Sequence, residues 1–162
     1  MATAHIRALL IVVGLALTGA TQAPPNFSGT WRLDESRSAS PGYSEYVGPV
    51  VRVIVQSPTT LVLDVTRGGD KHVNLTYALG ETVPGATAGP RVNRGYFDGA
   101  QLITETIQDI QGQTVSTREI ARLENGGREL VVERVVEVEH GYTLRGARNS
   151  TMVKDVFVRI DK

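Results

Sequence analysis

The 162-residue chain has no cysteine, a single tryptophan, three phenylalanines and three histidines. Lack of cysteine excludes disulfides, thiolate metal sites and cysteine nucleophiles, so the fold must be held by apolar packing and strand pairing alone. It also excludes the lipidated cysteine at the cleavage point of a bacterial lipoprotein. No sign of charge prevails: seventeen Lys and Arg balance seventeen Asp and Glu. That balance gives no electrostatic reason for binding nucleic acid or an anionic membrane surface. Sustained helical periodicity is missing too, and the one long apolar run, Ala8 to Leu17, lies near the start.

That run follows His5 and Arg7 and precedes small residues, which is the pattern of a secretory signal. It is too short to cross a bilayer comfortably. Cleavage fits after Ala20, with Thr18 three residues back, or after Ala23, where Pro24 would sit awkwardly just past the cut. The expected division is therefore residues 1–20 as signal (the cut alternatively after 23) and residues 21–162 as one exported domain, periplasmic or secreted. A domain of about 140 residues buries roughly two-thirds of its unfolded surface, enough for a core without cross-links.

What is present is a series of short β-branched runs broken by Gly, Pro, Asn and Asp about every ten residues. Strands are predicted over Phe27–Leu33, Val50–Gln56, Thr60–Arg67, His72–Leu79, Arg91–Phe97, Gln101–Gln108, Thr114–Leu123, Glu129–Glu139 and Met152–Ile160, with a further short candidate over Tyr142–Arg145. Ser57-Pro58-Thr59, Gly68-Gly69-Asp70, Asp98-Gly99, Gln111-Gly112 and Asn125-Gly126-Gly127 supply the backbone freedom or fixed φ that tight hairpins need. The pattern predicts an all-β, antiparallel up-and-down barrel of about 8–10 strands, with an open two-sheet sandwich as its rival. Asp34 to Pro49, with Tyr43 and Tyr46, and Gly80 to Pro90 fall outside the strand pattern and are candidate rim loops.

Asn26-Phe27-Ser28-Gly29-Thr30-Trp31 resembles the opening strand of lipocalin-like barrels. From end to end the chain resembles small exported bacterial proteins of that type, of largely unassigned function. The shared features include Tyr77-Ala78-Leu79-Gly80-Glu81, Phe97-Asp98-Gly99, Asn125 to Glu133, and Val156-Phe157-Val158-Arg159. The resemblance implies that Gly29 lets the first strand bend, that Trp31 plugs one barrel end, and that a basic residue of the last strand, Arg159 or failing it Lys162, lies across the indole. Avidin-like barrels share the Gly-Thr-Trp opening but resemble a cage of several tryptophans, where this chain has only Trp31.

Signals of chemistry are sparse. His72 and His140 sit in no metal-ligand spacing and read as loop histidines. No nucleophile elbow, P-loop or dinucleotide fingerprint occurs, so no catalytic residue, cofactor or metal is expected. Along the eighth strand Glu129, Glu133, Glu137 and Glu139 share the parity of a wet outer face. The other parity carries Leu130, Val132, Arg134, Val136 and Val138, an apolar inner face broken by one arginine. Arg134 must bind a ligand carboxylate, pair with an internal acid such as Glu119, lie in water at the mouth, or mark a bulge. Tyr77 extends the face of Val73, Leu75 and Leu79, so it is either a core residue or one pointing its hydroxyl into a cavity.

These observations lead to an exported, non-catalytic barrel that binds a small apolar or amphipathic ligand, with Arg134, Tyr77 and Glu119 as candidate contacts. The alternative is a protein-interaction module, such as a periplasmic inhibitor or assembly factor, whose core is solid. A mostly apolar cavity of roughly 300 Å³ or more separates the two. An enzyme reading gains only if a convergent polar cluster lies inside that cavity. Short strands without aromatic girdles argue against an outer-membrane barrel.

Overall fold

A computed structural model describes residues 23–39, 48–69, 71–80, 91–140 and 149–161. Nine strands close into one barrel in sequence order. They are β1 (Gly29–Leu33), β2 (Val50–Gln56), β3 (Thr60–Arg67), β4 (Lys71–Leu79), β5 (Arg91–Asp98), β6 (Gln101–Ile110), β7 (Gln113–Glu124), β8 (Glu129–His140) and β9 (Asn149–Arg159). The predicted strands are found within a few residues, except that Phe27 precedes the first rather than starting it. Tyr142–Arg145, the tyrosines 43 and 46, Lys162 and all but the first residue of the Gly80–Pro90 loop lie outside the described residues.

Closure removes the sandwich alternative and imposes a correction. Around a ring, strand direction can alternate without fault only if the number of strands is even. Here β1 pairs antiparallel with both β2 and β9, so nine strands require one pair that runs the same way. That pair is β4–β5, parallel and, among the described residues, joined at Ala78↔Arg94 and Leu79↔Gly95, with the Gly80 N–H donating to the Gly95 carbonyl at 3.1 Å. The wholly antiparallel meander expected from the turns is therefore wrong at this seam. The hairpins themselves follow their turn chemistry: Gln111 (φ 53°) and Gly112 (φ 77°) form the two-residue link between β6 and β7, and two consecutive positive φ values suit the twist of the strands they join.

The described part of the Asp34–Pro49 excursion begins with a 3₁₀ turn over Glu35–Arg37, capped by the Asp34 side chain, which accepts from the Ser36 N–H. Arg37 then reaches Glu129 on β8, and the Ala39 N–H donates to the Lys154 carbonyl of β9 at 2.9 Å. With the Asp34 N–H donating to the Val156 carbonyl at 2.8 Å, the described part of this strap follows the edge of β9 beyond the end of β1.

One end of the interior is solid. Phe27, Trp31, Leu33, Leu61, Leu102, Leu130 and Phe157 pack together there with little or no exposure. The Trp31 Nε1–H donates to the Phe27 carbonyl at 3.1 Å, so its one polar group is satisfied inside the core. Arg159 lies with its guanidinium carbon 4.2 Å from the centre of the Trp31 ring and donates to the carbonyls of Ser28 and Gly127. Gly29 makes room for it. A Cβ there would stand 2.5 Å from Arg159 Nη1, and its φ of +150° is one that L side chains rarely adopt. Among the described residues no helix is long and apolar enough to cross a membrane.

Candidate functional site

Above the aromatic plug the inner face changes character. Antiparallel register puts directly opposed residues on one side of the sheet, so the pairs Glu119↔Arg134, Val132↔Asp155 and Trp31↔Arg52 all point inward. Arg52 is 3% exposed and Asp155 fully buried. Their side chains meet those of Glu119 and Arg134 in one cluster. Arg52 grips Glu119 bidentately, Nη1 to Oε2 at 2.9 Å and Nη2 to Oε1 at 3.0 Å, while Arg134 Nε donates to Oε1 at 2.7 Å. Arg134 Nη1 lies 3.9 Å from Asp155 Oδ2. The Arg52 guanidinium also stacks over Phe157 at 4.6 Å, tying the cluster to the plug below.

Two positive and two negative charges thus compensate one another away from water. Burial pushes the Glu119 carboxyl up, but the charges of Arg52 and Arg134 and the hydrogen bonds from both outweigh it and hold its pKa at about 2. Glu119 is ionised at any ordinary pH. Tyr77 is shifted the other way: burial raises its pKa despite a long contact, 3.4 Å, between its hydroxyl and Thr106 Oγ1. It remains a neutral phenol.

Beyond the cluster lies a cavity of about 350 Å³ inside the barrel, walled by Leu63, Val65, Leu75 and Val136 with Tyr77, Thr104, Thr106 and Thr117 among them. Its far end is edged by Arg67, Arg91 and Gln108, near the β3–β4 and β6–β7 turns. Clefts of about 470 Å³ at the rim beside Pro24, Pro58 and Phe97, and of about 430 Å³ over Ile107, Ile120 and Val135 on the outer wall, are larger. Neither is enclosed by facing strands. The inner cavity has the size set above for a binding barrel but not the mostly apolar lining.

The structure brings Arg134, Glu119 and Tyr77 to this one cavity. It corrects the view of Arg134 as the single charge on an apolar inner face, since Arg52, Asp155, Arg67 and Arg91 also face inward. The β7–β8 hairpin made the Arg134–Glu119 pair visible from sequence, because its turn fixes the register. Arg52 comes from 67 positions away, and β2, Val50-Val51-Arg52-Val53-Ile54-Val55, is apolar at every other position of both parities, so alternation gives it no inner side. His72 lies on the outer face of β4, its Nε2 3.2 Å from Asp64 Oδ1, not in a turn. The His140 side chain is outside the described residues. Among the described residues no three His, Asp or Glu side chains are gathered as a metal site would need.

Because Glu119 keeps both oxygens on Arg52 when Arg134 is removed, while the buried Asp155 loses its contact with that guanidinium, Arg134→Met should weaken the fold by about 3 kcal/mol, less than the loss of Glu119. Urea denaturation measures this. A loss as large as that from removing Glu119 itself would show that Arg52 does not hold the carboxylate alone.

No protein-family model and no curated protein matches the chain. Among solved structures it resembles apo lipid binding protein 8 of Caenorhabditis elegans, with TM-score 0.54 and 17% identity over 83% of this chain and 95% of that one. The two share a fold. Lower similarity is found with the fluorescent protein UnaG, at TM-score 0.49 and 16% identity over 83% and 97% of the two chains. Zebrafish ileal bile acid-binding protein complexed with cholic acid gives TM-score 0.42 and 12% identity over 83% and 98%. The architecture is an all-β closed barrel, the fold it shares with lipid binding protein 8.

Proposed function

We propose that this protein is an exported, non-catalytic carrier that holds a small amphipathic molecule inside its barrel. The observation that carries the reading is the cavity of about 350 Å³ between the ion cluster and the open end. An interior this size is at the low end of small-molecule sites, and a barrel serving only as a rigid docking module has no need of it. The mixed lining favours a ligand with both apolar and polar parts over a pure hydrocarbon. The shared fold with a lipid-binding protein supports the same reading. Export rests on the apolar Ala8–Leu17 segment and the small residues after it.

A convergent polar cluster does lie at the cavity floor, which is the feature an enzyme reading would require. Its acid is unsuited to proton transfer, however. With a pKa of about 2, Glu119 is a very weak base, and its oxygens are already occupied by two guanidinium groups. The cluster is read as structural.

The test is native mass spectrometry of protein purified from its own host, followed by titration with a dansylated fatty acid. One ligand per barrel is expected, and Leu75→Trp, which fills the cavity, should lower probe affinity at least about tenfold while the fold persists. Empty protein that binds no probe, recovered instead with another protein at fixed stoichiometry, would replace the carrier with an interaction module.

A further inference from the structure

We infer that the ligand is an anion bound with its charged group at the open end, against Arg91, and its apolar part directed inward. This rests on the carrier reading and specifies its ligand class and orientation. The floor of the cavity offers nothing to an incoming anion. Its charges sum to zero, Glu119 already takes three hydrogen bonds from Arg52 and Arg134, and a second carboxylate would lie beside the ionised Glu119 and buried Asp155.

The open end is different. Arg91 stands at the start of β5 on the inward parity and pairs across the sheet with Gln108 of β6. Its Nε and Nη2 donate to Gln108 Oε1 at 3.2 and 2.6 Å. The partner is an uncharged amide, so Arg91 is oriented without being neutralised. Among the described residues of the cavity wall, Glu119, at the floor, is the only acid. From Arg91 inward one part of the wall passes through Leu75, Tyr77 and Leu63, with Thr104, Thr106 and Thr117 also in the lining, so a path of mixed character begins at a positively charged rim. A guanidinium held in this way presents its remaining N–H groups to a carboxylate or sulfate at the mouth.

Matched probes test this: 11-(dansylamino)undecanoic acid and its methyl ester, titrated against the full chain. Wild-type protein should prefer the acid. Arg91→Gln, an exposed change that should leave the circular dichroism spectrum and melting temperature unaltered, should weaken acid binding about five- to tenfold and leave ester binding as it was. Arg91→Lys, which keeps the charge but not the fork, should lose less. Raising the salt concentration should reduce the acid preference of wild type and not that of Arg91→Gln. If the acid-to-ester ratio is the same in wild type and Arg91→Gln, the head group does not rest on Arg91 and the inference is overturned. If neither probe binds wild type, it is the carrier reading beneath it that fails.

Discussion

Glu119→Gln is expected to cost the barrel about 3–5 kcal/mol, because it leaves the guanidinium groups of Arg52 and Arg134 without the carboxylate they share. In a domain of this size that corresponds to a fall in melting temperature of roughly 10 °C or more. The effect should depend on pH in a definite direction. The folded-state pKa of about 2 is below the ordinary 4.5, so the stabilisation is complete above the ordinary value and is lost as the pH falls from there through about 2. Its size is roughly 3 kcal/mol. The gap in stability between wild type and Glu119→Gln should therefore be widest near neutrality and narrow in acid. A gap that stays constant from pH 7 to about pH 2.5 would contradict the ionised state assigned to Glu119.

Trp31→Ala should be comparably severe, about 3–5 kcal/mol by the usual cost of emptying a large aromatic site in a core. Trp31 is fully buried and packs at the centre of the closed end. Its removal also deprives Arg159 of the ring beneath it and opens a path between the plug and the charged cluster. Trp31→Phe should cost less, since it retains an aromatic ring and loses mainly volume and the Nε1–H bond to Phe27. Calorimetry or denaturant unfolding followed by circular dichroism separates these outcomes. A Trp31→Ala variant within about 1 kcal/mol of wild type would mean that the closed end is not the barrel's main core.

Most of the barrel was legible in the chain because its information is local. Each hairpin carries its own turn residues, and a turn such as Gln111-Gly112 fixes the register of the two strands on either side of it. The same logic reached the Arg134–Glu119 pair. It could not reach Arg52, which meets Glu119 only once the sheet has curled through closure, or Asp155, whose inward neighbours Val153, Phe157 and Arg159 mark no consistent face. Val53 and Val55 are 40% and 58% exposed, so the second strand is apolar on its wet side as well and conceals which side holds the charge. The parallel seam was hidden for another reason: no residue in β4 or β5 encodes it, and it follows from the count of strands in the whole ring.

That count resembles a magnet with an odd number of spins around a loop, where each spin opposes its neighbours until one bond is left frustrated. Hairpins add or remove strands in twos, so a lineage that widened or narrowed this barrel by gaining or losing a hairpin would preserve the mismatch. Only the gain or loss of a single strand could heal it. The joint between β4 and β5, held by Ala78↔Arg94 and Leu79↔Gly95, is in this sense a property of parity, and it is where the wall should first part when heat, pressure or a bulky ligand forces the ring to open.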